Sequence, residues 1–417
     1  MTALDDLYRR FPDSVSRLYR RLGFLPTPVV TSHTAAVVLD VARDVATQNL
    51  ELLVRANVLK QTRPGFDFYR FSPYVHNHPR EVGEEDEPEQ EQEAPRRVLD
   101  WYLATAARAR EQLTDQTLGY AHTVAPSQDL VPQFTSLSGA LTWQSDHQEN
   151  LQRVIEDAAA HGWHQATWQL VDANAPGLHR LCRFRLSTTL HELGLYSAQR
   201  IGTQQGVCRM LSSGAEALAH TGEIDRALDW YRSLGEAARA AGDVFAEGRH
   251  QLGLAVCHRQ AGDLEAAESC LADVLELWGG HEHRHEQPRA LAELGRIFLL
   301  HGDWRQALAI LEAARHNFLT LADAHGVAKT LTLTGLGHSM AGNHAAAQAE
   351  FHHAMGIFRD YEDVYWQTLT REFLAKSADD DGDDQTAAHH REQAQKNYPL
   401  CGLTPAPTVH DRLRHAP

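Results

Sequence analysis

In the stretch LEAAESCLADVLELW, apolar side chains fall at Leu264, Ala267, Leu271, Val274, Leu275 and Trp278, the three-and-four spacing of one helical face. Residues 97–113 carry the same pattern at Val98, Leu99, Tyr102, Leu103, Ala106, Ala109 and Leu113. Residues 138–178 read as two more helices, broken at His161-Gly162. Near the start, DSVSRLYRRLG, SHTAAVVLDVA and ATQNLELLVRANV suggest three short helices. The segment VLKQTRPGFDFYRFS then suggests two short strands around Pro64-Gly65.

A period of 40 residues organises the second half. Gly222-Glu223, Gly262-Asp263, Gly302-Asp303, Gly342-Asn343 and Gly382-Asp383 recur at that spacing. Five residues after each glycine stands an alanine: Ala227, Ala267, Ala307, Ala347 and Ala387. Seven residues before each glycine is a small residue: Ala215, Ala255, Gly295, Gly335 or Ala375. Glycine can end a first helix in the left-handed conformation, and the polar residue after it can cap a second. Small residues on both helices let them cross closely. One such unit cannot bury its own apolar face, so neighbours must stack into a solenoid. Cys182-Arg183 stands one period before the first clear unit and reads as a degenerate repeat.

These small, glycine, aspartate and alanine positions resemble the tetratricopeptide repeat. That family's usual period is about 34 residues, so 40 implies longer helices or longer connections. The expected fold class is all-α: a tetratricopeptide-like α-solenoid with a small N-terminal winged-helix-like module. Residues 1–80 would form that module, 81–96 an acidic linker and 97–204 a helical bridge with degenerate repeats. Residues 205–400 would hold five repeats and 401–417 a flexible tail.

Charge sharpens these boundaries. The chain has 39 basic and 55 acidic residues, a net of −16. Residues 1–80 alone are net +4, and EVGEEDEPEQEQEAP carries eight acidic residues and no basic one. The overall balance argues against coating nucleic acid, though Arg20, Arg21, Arg55, Lys60 and Arg63 are candidate DNA or anion contacts. Five scattered cysteines without a CxxC pair fit a reducing compartment. A charged start and no long apolar run fit a cytoplasmic chain without a membrane partner.

The order of LYRRFPDSVSRLYRRLGFLPTPVVTSHTAAVV, VLKQTRPGFDFYRF, RRVLDWYLATAARA and the repeats resembles actinobacterial STAND-type regulators. Those contain an NB-ARC nucleotide-binding module before a winged helix, a helical bridge and C-terminal repeats. The resemblance implies a regulator but not its ATP switch. GxxxxGK[ST] needs a Gly-Lys step, and none of Lys60, Lys329, Lys376 and Lys396 follows glycine. Where the family's second wing strand commonly ends Phe-His-Asp, with a histidine that contacts nucleotide, this chain has Phe71-Ser72-Pro73. Neither a nucleotide nor another cofactor is expected.

His281-Glu282-His283-Arg284-His285 matches the HExxH string of zinc proteases, which works only on a helix. Gly279-Gly280 before it and Pro288 after it make a solvated His-rich loop the expectation, with no metal centre. No GxSxG elbow or GxGxxG turn is present, so no enzyme is expected. The strongest candidate site is a basic ladder. Arg209, Arg249, Arg289 and Lys329 stand thirteen residues before successive repeat glycines, and Leu369 ends the series. In a tetratricopeptide unit this position faces the concave groove, so the ladder would receive a protein or peptide with an acidic segment. The alternative is that each cation pairs with a nearby carboxylate such as Glu247 or Glu286. The functional expectation is a non-enzymatic regulatory or adaptor protein. The competing one is a DNA-binding transcriptional regulator with the solenoid as sensor or dimeriser.

Overall fold

The computed structural model describes residues 3–63, 65–75, 77–87, 89–114, 128–279, 286–404, 406 and 408–415. They divide into two compact units: residues 1–177 with 193–202, and residues 178–192 with 203–417.

The first unit begins with α1 (Ala3–Tyr8), α2 (Asp13–Gly23), α3 (Ser32–Leu39) and α4 (Arg43–Arg55). Thr31 starts α3 with a capping box, exchanging bonds with Thr34. Strands β1 (Leu59–Gln61) and β2 (Tyr69–Phe71) form an antiparallel hairpin in the register Leu59–Phe71 and Gln61–Tyr69. Val30 bridges to Tyr69 through two backbone bonds of 2.8 Å. Helices α2, α3 and α4 and the hairpin match the segments read from the sequence, and α1 is an additional helix before them.

The acidic stretch is not an extended linker. Helices α5 (His78–Asp86) and α6 (Gln90–Glu111) cover nearly all of it. Its charge is neutralised where it counts, because Glu87 receives Arg20 at 2.8 Å and Arg21 at 3.0 Å. Helices α7 (Leu137–Asp146), α8 (Gln148–Ala160) and α9 (His164–Arg180) follow. The expected break at Gly162 is present, with φ +72°, but a second break at His147 makes three helices where two were read. Asn150 of α8 exchanges bonds with Val29 at 2.8 and 3.1 Å and donates to the Tyr102 hydroxyl at 2.8 Å. The N-terminal helices and the bridge therefore share one core rather than flanking a solvated spacer.

The second unit takes the first half of α10 (Phe184–Arg200) and five helical hairpins. These are α11 (Gln204–His220) with α12 (Ile224–Ala241), and α13 (Val244–Ala261) with α14 (Leu264–Leu277). Next come α15 (Gln287–Leu300) with α16 (Trp304–Thr320), and α17 (Ala324–Met340) with α18 (His344–Asp360). Last are α19 (Val364–Asp380) with α20 (Asp384–Cys401). Long helices, mostly of 17 or 18 residues joined by three-residue turns, account for the period of 40. Gly222, Gly262, Gly302, Gly342 and Gly382 all have φ between +75° and +89°. Nothing would meet a side chain at Gly302 or Gly342, so conformation rather than space demands glycine there. Ala227, Ala267, Ala307, Ala347 and Ala387 are fully buried between paired helices.

The polar caps follow with one exception. Asp263, Asp303, Asn343 and Asp383 each accept a backbone N–H three residues on, at 3.0–3.3 Å. Glu223 makes no such bond and instead takes Arg226 and Thr221.

The described residues of 401–417 are not a free tail. Helix α21 (Val409–His415) packs against α13, α15 and α19 and buries Leu413. Arg412 pairs with Glu372, while fully buried Arg259 donates to the carbonyls of Leu413, at 3.1 Å, and Arg414. Among the described residues, no helix is long and apolar enough to cross a membrane.

Candidate functional site

The first helices of the hairpins, α11, α13, α15, α17 and α19, pack successively against one another. Their polar side chains meet the end of α9 and the start of α10 in one cluster within the second unit. From α11 come Glu216 and His220, one helical turn apart on the same face. Arg249 on α13 lies 3.6 Å from Glu216 Oε2 and 3.3 Å from the Ser212 hydroxyl. His179 Nδ1 lies 3.9 Å from Glu216 Oε1, so the two carboxylate oxygens face different partners. The His179 and His220 rings meet edge-on at 4.8 Å, and Phe184 stacks on His220 at 4.0 Å.

On the other side, His325 Nε2 sits 2.7 Å from Asp363 Oδ2, while Asp363 Oδ1 caps α19 by accepting Trp366 N–H at 2.9 Å. Lys329 Nζ lies 5.2 Å over the Trp366 ring. A small cavity of about 50 Å³ opens between His179, Glu216, His220, Lys329 and Asp363.

Burial and neighbouring charge set the protonation of this cluster. Burial pushes His179 down and His220 well below the usual histidine value, and it takes His325 to about 4. Burial opposes charge on Glu216, but His179 and Arg249 outweigh it and hold the carboxyl near 2. The same contest, won by the His325 bond, puts Asp363 at about 2. Burial lowers Lys329 to about 8 against the pull of Asp363. At neutral pH the cluster therefore holds ionised carboxylates beside neutral imidazoles.

Arg249, Lys329 and Glu216 of this cluster were brought together from separate hairpins. Arg249 is thus matched by a carboxylate 33 residues earlier, not by Glu247. Arg289 is exposed and reaches buried Glu286 at 3.4 Å, as its neighbourhood in the sequence allowed. Arg209 is half-buried on α11.

The N-terminal candidates fare differently. Arg20 and Arg21 are not available to DNA as they stand, because both are committed to Glu87, and Arg21 also donates to the Val38 carbonyl at 3.0 Å. Arg63 pairs with Asp146 at 3.3 Å and Arg55 with Glu51 at 3.6 Å, both on the surface; Lys60 is exposed. At the end of β2, where the resemblance would put a nucleotide-contacting histidine, buried Ser72 donates to the Asn57 carbonyl at 2.6 Å and closes the hairpin. The HExxH string at His281–His285 lies outside the described residues.

Sequence reasoning named no metal ligands, yet His179, Glu216 and His220 present donor atoms within 4.8 Å of one another. The Glu216/His220 spacing was legible as an i, i+4 pair. His179 was not, because only packing brings the end of α9 to α11.

Repeated helical hairpins with glycine turns and buried alanines define an α-solenoid of the tetratricopeptide kind, and residues 246–318 match the tetratricopeptide repeat family. Over part of their length, actinobacterial AfsR-type regulators are similar to this chain. It is 27% identical over 405 residues to "Regulatory protein AfsR" of Streptomyces griseus, covering 93% of this chain and 38% of that protein. With the protein of the same name from Streptomyces coelicolor it shares 26% over 297 residues, covering 63% and 28%. The chain therefore spans well under half the length of these relatives. Among solved structures, a Rap protein complexed with competence and sporulation factor aligns at a TM-score of 0.49 and 11% identity, covering 86% of this chain and 93% of that one. A STAND protein with a tetratricopeptide repeat sensor from Pyrococcus horikoshii aligns at 0.40 and 14%, covering 95% and 64%.

Proposed function

We propose that this chain is a non-enzymatic regulatory or adaptor module that recruits a protein partner through the face of its first helices. The partner presents an acidic segment to Arg209, Arg249, Arg289 and Lys329. The register of these four carries the reading: one cation per first helix, on α11, α13, α15 and α17, helices that pack successively side by side. Exposed Arg289 is already positioned by Glu286, so little side-chain entropy remains to be lost on binding. The regulatory character of the AfsR relatives supports the same assignment.

The three-helix and hairpin arrangement with the Val30 bridge supports a winged-helix-like N-terminal module. Because Glu87 engages both Arg20 and Arg21 in a largely enclosed pair, that module serves as a docking surface rather than a DNA reader. Affinity capture from the native cell, followed by mass spectrometry, tests the proposal. Wild type should enrich a partner that the Arg209→Glu/Arg289→Glu variant does not. Equal enrichment by both, with DNA retained by the wild-type chain, would replace it with the DNA-binding reading.

A further inference from the structure

We infer that His179, Glu216 and His220 form a binding site for a divalent transition-metal cation of the zinc class. Two imidazoles and one carboxylate are a donor set that suits zinc, leaving a fourth coordination position. All three side chains are half-buried and border the same small cavity. Their donor atoms lie within 4.8 Å of one another. Bonds of about 2.0–2.2 Å need donors roughly 3.4 Å apart in a tetrahedron, so side-chain rotation of about 1 Å closes the site.

Two further features are those of a metal site. Glu216 Oε2 is turned toward Arg249, which leaves Oε1 on the side of His179 and fixes the carboxylate for one-oxygen ligation. Phe184 stacked on His220 fixes that ring and shields it from water. Bound metal would clasp the end of α9 to α11, joining residues from two repeats that sequence separates by a full period.

The experiment uses the full chain with zinc and cobalt as probes. The triple variant H281A/H283A/H285A removes the competing histidine string. In that background, calorimetry and elemental analysis after dialysis should show one zinc per chain, and cobalt should give the strong visible band of four-coordinate ligation. Adding His179→Ala or His220→Ala should weaken zinc binding by more than the ~10–100-fold that loss of an outer partner costs. Glu216→Gln, which preserves shape, should weaken it as well and carries the test if an alanine variant fails to fold. Absence of stoichiometric zinc in the triple variant, or zinc affinity unchanged by both His179→Ala and Glu216→Gln, overturns the assignment.

Discussion

At the scale of single residues, the small positions of the hairpins and the buried histidines make opposite demands. Gly335 on α17 faces the ring of Phe351 on α18, and a Cβ there would stand 2.8 Å from it. Alanine gains about 1 kcal/mol of helix propensity over glycine, but overpacking costs about 1–3 kcal/mol. Gly335→Ala should therefore lower stability by about 1 kcal/mol in urea unfolding; a rise would show that Phe351 yields freely. His325 makes stability depend on pH. Burial, with Lys329 and Arg180 nearby, holds it near 4 against 6.5, while Asp363 pulls the other way. Between about pH 6.5 and 4 the unfolded chain binds a proton that the folded chain refuses, so stability falls as pH falls through that window. Asp363, near 2 against 3.8, adds stability that is full above 3.8 and is lost as pH falls toward 2. Melting temperature should drop from pH 7 to 4, and less steeply in His325→Gln. An identical slope in both would remove His325 from the cause.

At the scale of elements, the turns show what the sequence revealed and what it concealed. Every second turn is legible, because Gly-Asp or its equivalent marks those within hairpins. The structure repeats at half that interval: φ is positive at 202, 222, 242, 262, 302, 322, 342, 362, 382 and 402. Ala322 and Glu362 take the glycine conformation between hairpins, which hides those turns from a glycine count. The aspartates after them, Asp323 and Asp363, cap α17 and α19 and were the legible signal. Helix α21 was missed because its anchor is remote: Arg259, about 150 residues earlier, needs the carbonyls that α21 brings. Deleting residues 405–417 should cost about 1–3 kcal/mol for each buried acceptor lost, seen as a lower urea midpoint. An unchanged midpoint would mean that water replaces α21 without penalty.

At the scale of the whole molecule, the 40-residue register placed one cation on each of four successive first helices, and that much was readable from spacing. Their partners were not, since Glu216 meets Arg249 only when α11 packs on α13. The acidic run misled for a similar reason: it reads as repulsive alone, yet Glu87 neutralises Arg20 and Arg21 from far along the chain. Surface ion pairs give only about 0–1 kcal/mol each, so useful affinity for an acidic segment requires several aligned cations. Such binding must weaken as salt shortens the reach of each charge, to about 8 Å at physiological ionic strength. The most direct measurement is titration of a labelled aspartate-rich peptide, at low and high salt, into wild type and Arg209→Glu/Arg289→Glu. The expected result is salt-sensitive binding to wild type, none to the variant, and closely similar melting temperatures. Equal binding by both proteins, or a sharp fall in the variant's melting temperature, would contradict a partner-binding role for the ladder.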